Sequence, residues 1–215
     1  MKNSSRRNSW FCCLGLACLA LAAWSWAAEG GEPDYPIVIT LDAGDIDLSA
    51  IVPDYLHFGY VAPESAVLSN QIEGNPRCTI QNNGYATVDY TVSAAVTGWT
   101  LGTHLEDIGP DQCVIAAIFT APILESQIPF PWGRDLETAD FGNEDVVGPA
   151  PKVATDTVLA RNNTRPDPDD PDILKGFAVS PLDSTRSLRF LVRTPAGVVF
   201  EPEQVFTVTI GAVVR

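Results

Sequence analysis

The chain has 215 residues, with 13 basic and 27 acidic side chains and a formal net charge of −14 at pH 7. So acidic a surface repels nucleic acid and anionic lipid, and it favours solubility or the binding of cations. The length allows one or two domains, each large enough to bury a core of its own.

The first 27 residues have the pattern of a secretory signal peptide. An apolar run extends from Trp10 to Ala23, and Ser25 and Ala27 place small residues at positions −3 and −1 of a cut after Ala27. The run is shorter than the roughly 20 residues that span a bilayer, so we expect cleavage and not a retained anchor. A lipoprotein-type cleavage at Cys18 is the weaker alternative. Three basic residues precede the run: Lys2, Arg6 and Arg7.

Removal of this segment takes away three basic residues and no acidic ones, so the remaining formal charge is (13 − 3) − 27 = −17. The rest of the chain is predicted to contain a short leader, residues 28–34, and a single β-sandwich domain, residues 35–215. We expect a protein that is secreted, in the extracellular space or at the cell surface, with the periplasm as an alternative. No membrane span is expected once the signal is removed.

Runs of β-forming residues alternate with Gly, Pro and Asn turns along most of the chain, and no segment has a sustained helical period. One connection is much longer than usual: residues 121–151 are rich in proline and glycine and are predicted to be a long loop insertion. Leu48–Tyr55 is interpreted as a loop or a weak strand. The predicted strands are Tyr35–Leu41, Leu56–Tyr60, Ala66–Ile72, Gln112–Thr120, Lys152–Ala160, Ser187–Thr194 and Gln204–Val213, with a short edge strand at Phe177–Val179.

The stretch from Arg77 to Gly102 has the clearest local pattern in the chain. Residues 87–94 (T-V-D-Y-T-V-S-A) alternate polar and apolar side chains, which is typical of a strand that is dry on one face and wet on the other. Asn83-Gly84 supplies the positive φ angles that a tight hairpin turn needs. We therefore predict two antiparallel strands joined by this turn. The wet face of Thr, Asp and Ser is typical of a scaffold, so a local function would be expected in the loops.

Two cysteines, Cys78 and Cys113, remain after the signal is removed. An even pair in an exported protein indicates a disulfide. Each cysteine has the apolar parity of its strand, so both are expected to face inward, where a bridge between two sheets would lie. Such a bridge would contribute roughly 4 kcal/mol to stability on the chain-entropy model. The alternative is a pair of free thiols in the core.

These patterns predict an all-β fold of seven to nine strands arranged as an antiparallel sandwich. Three phrases, Leu56–Ser65, Thr79–Ser93 with Gly98-Trp99, and Pro181–Val192, resemble immunoglobulin-like β-sandwich modules of secreted bacterial proteins. Among these modules are the glycosidase-associated and the hydin/abnormal-spindle types. The resemblance implies an immunoglobulin-like fold and an accessory, adhesive or scaffolding role without catalysis. The long insertion departs from the pattern of these modules.

Asp42, Asp45 and Asp47 place three carboxylates within six residues around a glycine, so they are a candidate calcium site. Neither this group nor the Asp167–Asp172 loop has EF-hand spacing, and a solvated acidic loop is the competing interpretation. No other cofactor is expected.

Phe130 and Trp132 lie in the long insertion, where aromatic side chains need a partner. They are candidates for contact with a ligand or a protein partner, or they fold back on the sandwich. Trp99, at the end of a strand, is expected to fill the core or cover a sheet edge instead.

The chain has two histidines, His57 and His104, and neither stands beside a group that would make it a general base. None of the common hydrolase, zinc-protease, redox or phosphate-binding motifs is present. We therefore expect no enzyme activity. The sequence favours a structural or adhesive protein of the cell surface, matrix or an extracellular filament, able to self-associate or to bind a surface glycan or protein. A carbohydrate- or envelope-binding accessory module is the alternative, and a hydrolase with paired carboxylates is the weakest.

Overall fold

The structure, a computed structural model, describes residues 36–42, 48–51, 55–57, 61–69, 78–120, 136–160, 176–181, 185–197 and 204–215. Within these ranges the chain forms eleven β-strands, two short 3₁₀ turns (Thr138–Asp140 and Asn143–Asp145) and no α-helix. The predicted all-β class is therefore confirmed. No helix in the described part of the chain is long and apolar enough to cross a membrane.

Sheet A joins the first and last strands of the described chain. It contains β1 (Pro36–Asp42), β3 (Tyr55–His57), β6 (Val88–Val96), β9 (Lys152–Val153) and β11 (Phe206–Val214). The order across the sheet is β3-β1-β11-β6-β9. β1 runs parallel to β11, with Ile37 opposite Phe206, whereas the other pairs are antiparallel. The sheet is therefore mixed, which differs from the purely antiparallel arrangement expected from the sequence.

Sheet B has six strands, two of which are long. It contains β2 (Leu48–Ile51), β4 (Ala66–Leu68), β5 (Cys78–Asn82), β7 (Thr100–Leu101), β8 (Gln112–Thr120) and β10 (Thr185–Arg193). The order is β2-β5-β10-β8-β7, and β4 also pairs with β10. The pair β7–β8 is parallel.

The main core lies between the two sheets. Alternate residues of each strand point into it, as the period-2 patterns predict. The rings of Tyr90 from β6 and Phe119 from β8 lie 5.3 Å apart, centroid to centroid. Trp99 meets Phe206 edge to face at 6.3 Å and is 6% exposed, so of the two expected places, core or edge, it occupies the core.

A second apolar cluster covers the outer face of sheet B. Val114, Ala116 and Ile118 of β8 and Leu191 of β10 pack there, and β8 and β10 are consequently buried on both faces. Arg189, which has the opposite parity to the core residues Leu188 and Phe190 in β10, is consequently only 3% exposed. The covering residues come from distant segments, and they include Leu68, Leu105, Ile108, Leu136, Phe141 and Val146.

The predicted hairpin of residues 77–102 is not formed, because β5 belongs to sheet B and β6 to sheet A. Neither Asn83 nor Gly84 is among the described residues with a positive φ. The connection is instead an arch between sheets, held by the buried Asn82 side chain. Its Nδ2 donates to the carbonyls of Ala86 (2.9 Å) and Val179 (3.1 Å), and its Oδ1 accepts the Gly84 amide at 3.0 Å.

Residues 142–160, which we call the strap, close one side of the two sheets. The strap hydrogen-bonds to β8 through Val147 N–Ile115 O (2.9 Å) and Phe119 N–Leu159 O (3.0 Å). It also bonds to β6 through Ala94 N–Gly148 O and Ala154 N–Tyr90 O, both 2.8 Å.

Short interrupted contacts of this kind protect sheet edges from pairing with other chains. The part of the predicted insertion within the strap, residues 142–151, is thus an integral part of the fold. Of the strand predicted at Lys152–Ala160, only Lys152–Val153 forms.

Candidate functional site

Cys78 and Cys113 face the same core but are free, buried thiols, so the expected disulfide is not formed. Both lie in sheet B, separated by β10. Leu188 of β10 pairs with Cys78 on one side and with Phe119 on the other, and Cys113 is 119 − 113 = 6 residues from Phe119. Six residues of strand span about 20 Å, whereas a disulfide needs Cα atoms within about 7 Å.

Burial makes both thiols unreactive. Desolvation raises the pKa of Cys78 to about 12, although the charge of Arg189 lowers it in part. Desolvation likewise raises the pKa of Cys113 to about 12. The thiolate is the form that reacts with electrophiles and binds metals, so neither residue suits such a role.

Of the other site residues predicted from the sequence, the structure describes only some. Asp42 ends β1 opposite Gly211, and nothing is described of its side chain. Asp45, Asp47, Phe130 and Trp132 lie outside the described residues. Among the residues that are described, no group of three or more His, Cys, Asp or Glu side chains could hold a metal ion.

The turn at Thr103–Asp107 brings a hydroxyl, an imidazole and a carboxylate together. Thr103 Oγ1 lies 3.0 Å and Asp107 Oδ2 lies 3.4 Å from His104 Nδ1. A relay needs the nucleophile and the carboxylate on different ring nitrogens, and here both approach the same one. Asp107 also accepts the Thr103 and His104 amides, which hold the pKa of its carboxyl below the usual value. The cluster is a hydrogen-bonded turn and not a catalytic triad.

Asp145 is the most unusual carboxyl group in the described chain, because it is 0% exposed. Its Oδ2 accepts the Gly142 amide at 2.8 Å, and its Oδ1 accepts the Ala160 amide at 3.1 Å. Desolvation raises the pKa of Asp145 to about 6, against the opposing effect of these amides. With both oxygens engaged and no exposed surface, the carboxyl fixes the two ends of the strap and does not face a substrate.

Nearby, the Lys152 ammonium donates to the backbone carbonyls of Glu144 (3.0 Å) and Val146. Burial lowers the pKa of Lys152, partly offset by the charges of Asp145 and Glu144. These contacts hold the first half of the strap against β9. The group is therefore part of the structural support of the strap.

The outer face of sheet A is the remaining candidate, and we call it the hydroxyl face. Its strands β1, β11, β6 and β9 lie side by side, so residues that point away from the core form rows across them. Ser93 stands opposite Thr209, Ala95 opposite Thr207, and Val153 opposite Thr91. By register this face comprises Val38, Thr40, Asp42, Asp89, Thr91, Ser93, Ala95, Val153, Thr207, Thr209, Gly211 and Val213, with Tyr55 of β3 opposite Val38.

This face is only partly open to solvent, and its charged positions lie toward one end. Ala95 is exposed, as are Val153 and Val213 at 41% and 43%. Ser93, Thr207 and Thr209 are half-buried, and Thr91 and Gly211 are buried. The charged positions of this face, Asp42 opposite Gly211 and Asp89 opposite Val213, lie toward one end, and Asp89 Oδ1 accepts the Ala178 amide at 2.7 Å. On a chain with 40 charged side chains (13 + 27), no Lys or Arg stands among these positions.

Sequence reasoning identified the polar side of β6 but interpreted it as scaffold. The signal that it missed is the matching outward row of β11, Thr207 and Thr209, which the alternation of that strand already contained. What could not be read locally is that β11 lies between β1 and β6. That order combines three separate rows into one continuous surface.

No family model, curated protein or solved structure matches this chain.

Proposed function

We propose that this chain is a secreted, non-enzymatic structural or adhesive protein of the cell surface, the matrix or an extracellular filament. The signal-like N-terminus supports export. Two facing sheets around a shared core support a single sandwich domain of the immunoglobulin-like kind that the sequence resembles. The parallel pairing of β1 with β11 is a departure from an antiparallel sandwich.

The observation that carries the proposal is the hydroxyl face. A surface used for contact is depleted in charge at its centre, because burying an unpaired charge is costly. Threonine and serine hydroxyls can exchange hydrogen bonds with water for bonds with a partner, and the valines add apolar area. This combination suits a broad, low-specificity contact better than it suits chemistry on a small substrate.

The proposal is tested by retention of the mature protein in the cell-surface or matrix fraction of its source cells. We expect Ala95→Glu, which places a charge on the hydroxyl face, to release the protein into the medium. Ala62→Glu adds the same charge at an exposed turn away from this face and should leave retention unchanged. Equal retention of all three proteins would exclude the hydroxyl face as the contact surface.

A carbohydrate- or envelope-binding module is the second candidate, favoured by one observation. Tyr85 is 96% exposed at the tip of the arch, where its ring is free to stack on a sugar. We expect Tyr85→Ala to abolish any signal of the mature protein on a glycan array while leaving the fold intact. A signal that is insensitive to Tyr85→Ala and to Trp132→Ala would remove this candidate.

A further inference from the structure

We infer that the β8 edge from Val114 to Phe119 is a latent pairing surface for the same edge of a second copy, kept closed by the two ends of the strap. One side of β8 pairs with β10 along most of its length. On the other side β7 covers Gln112 and Cys113, and the strap covers the stretch that follows. This edge is separate from the hydroxyl face, so the inference goes beyond the proposed function and does not depend on it.

The cover over the β8 edge consists of two short pieces that run in opposite directions. Val146 forms an antiparallel bridge with Ala116, whereas Ala160 forms a parallel bridge with Phe119. A regular neighbouring strand would run in one direction and bond along the whole edge. Here the two pieces come from opposite ends of the strap, so the cover remains closed only while those ends are held together.

The side chain of Asp145 joins the two pieces. Its Oδ1 accepts the Ala160 amide at 3.1 Å and its Oδ2 accepts the Gly142 amide at 2.8 Å, and the residue is 0% exposed. Leu159, next to Ala160, has a φ of 54°, which is a strained conformation for a residue other than glycine. Weakening of the Asp145 junction is therefore the step that would uncover the β8 edge.

Ionisation of Asp145 weakens this junction. Desolvation raises the pKa of its carboxyl to about 6, and the charge of Glu144 raises it further. The Lys152 ammonium favours the ionised form, since the two groups interact. Asp140, in the preceding turn, directs Oδ2 to a backbone amide, and residues 114–119 of β8 contain no ionisable side chain.

The closed strap consequently binds the Asp145 proton more tightly than an open strap does. In the open state the carboxyl returns to its ordinary pKa of 3.8, so the closed state is favoured most below pH 4 and loses this advantage as pH rises through 6. With these two values, the open population should rise roughly tenfold between pH 5 and pH 7.5. The open state remains a minor one, because Val147 and Leu159 anchor the strap in the core.

The sequence of β8 identifies a second copy as the partner. Residues 114–119, V-I-A-A-I-F, contain no charge, proline or glycine, which is the composition of segments that pair with copies of themselves. An uncovered edge presents alternating N–H and C=O groups, so two copies of it are complementary when they run antiparallel. On a chain of net charge −14, two such edges also meet without repulsion between the paired side chains.

The first experiment is hydrogen exchange of the dilute mature protein at pH 5 and 7.5, corrected for intrinsic exchange rates. The Val147 and Phe119 amides bond across the strap and β8, so they should open more often than the Val208 amide of the central strand β11. Their opening should increase roughly tenfold at pH 7.5, and by less than about twofold in Asp145→Asn. Equal protection of all three amides would overturn the inference, since the strap would then open only with the whole fold. A tenfold change that persists in Asp145→Asn would overturn the role of the carboxyl.

The second experiment is sedimentation at pH 7.5 from about 10⁻⁵ to 10⁻³ M. Asp145→Ala removes the junction and should dimerise at least about tenfold more tightly than the wild type. Adding Ala116→Cys and Val146→Cys places thiols on opposite residues of the antiparallel bridge, within reach of a disulfide. The oxidised form should be monomeric, and the reduced form of the same protein, its matched control, should dimerise.

The outcomes separate the edge from other surfaces. Equal dimerisation of the oxidised and reduced forms would show that the copies meet elsewhere and would overturn the inference. An Asp145→Ala protein that stays monomeric at about 10⁻³ M would exclude the second copy as the partner. If Asp145→Ala does not fold, the same pair of cysteines in the wild-type background gives the same comparison. Ala95→Glu should leave edge pairing unchanged, so failure of this inference leaves the proposed function standing.

Discussion

Asp145 shows how a single buried side chain organises a segment without secondary structure of its own. The strap leaves the β8 edge, crosses to β6 and returns, so its amides cannot all be paired in a ladder. The carboxyl group of Asp145 satisfies amides at both ends, those of Gly142 and Ala160. Leu159 beside it has a φ of 54°, a conformation that a non-glycine residue adopts only where its surroundings enforce it.

The buried Asp145 carboxyl predicts a measurable pH dependence of stability. Its pKa rises from 3.8 in the unfolded chain to about 6 in the folded one, so the folded state binds more protons in between. Its contribution to stability is therefore complete below pH 4 and is lost as pH rises through 6, by roughly 1–3 kcal/mol. Urea unfolding at pH 5 and 7.5 measures it. Asp145→Asn, which does not titrate, should lack this component, and an identical pH slope in the variant would contradict the assignment.

Cys78 and Cys113 give a second prediction at the residue scale. Because both thiols are free and buried, a reducing agent should shift the Tm of the mature protein by less than about 1 °C. Alkylation should modify both thiols only after unfolding, as their raised pKa values and burial imply. A fall in Tm of roughly 8 °C or more on reduction would instead indicate a stabilising bridge.

At the scale of elements, alternation identified the strands better than it identified their partners. Gln112–Thr120 forms with the predicted bounds, and Tyr35–Leu41 and Gln204–Val213 shift by one or two residues. Lys152–Ala160 fails as one strand because its first residues bond to β6 and its last residues to β8, and not along one neighbour. The Asn-Gly turn was misread for a related reason: the same residue types serve a hairpin or an arch, and sheet membership decides between them.

Asn82 and Asn83 provide a matched pair of variants for the arch. Asn82→Asp replaces the amide that donates to the Ala86 and Val179 carbonyls with oxygens that cannot donate. We expect this change to lower the free energy of unfolding by about 3 kcal/mol. Asn83→Asp, one residue along and half-exposed, should change it by less than about 0.5 kcal/mol. Urea denaturation measures both, and equal effects would contradict the role of Asn82.

For the whole molecule, the edges and the outer faces of the two sheets differ in what covers them. The strap covers the β6 and β8 edges, and the second apolar cluster covers the outer face of sheet B. The outer face of sheet A has no such apolar cover among the described residues. Covered edges disfavour strand-by-strand aggregation with other chains.

Net charge gives the prediction at this scale. A large negative charge, −14 for the full chain and (13 − 3) − 27 = −17 without the expected signal, favours the expanded, unfolded chain through self-repulsion, so salt should stabilise the fold. The Tm of the dilute monomer should rise by a few degrees between 0.01 and 0.5 M NaCl. Replacing the exposed Glu106 and Asp111 by Lys should reduce this rise. An unchanged or larger rise in that variant would show that the salt effect does not come from the net charge.

The sequence alone determined the all-β class and the inward residues of each long strand, because these follow from local alternation and turn residues. Only the tertiary structure decided that Cys78 and Cys113 lie far apart in one sheet, that Arg189 is buried and that the hydroxyl face is continuous. Each of these depends on pairings between distant segments, such as β1 with β11. A period of two identifies which side chains share a face of one strand, but it carries no information about which strand lies next to it.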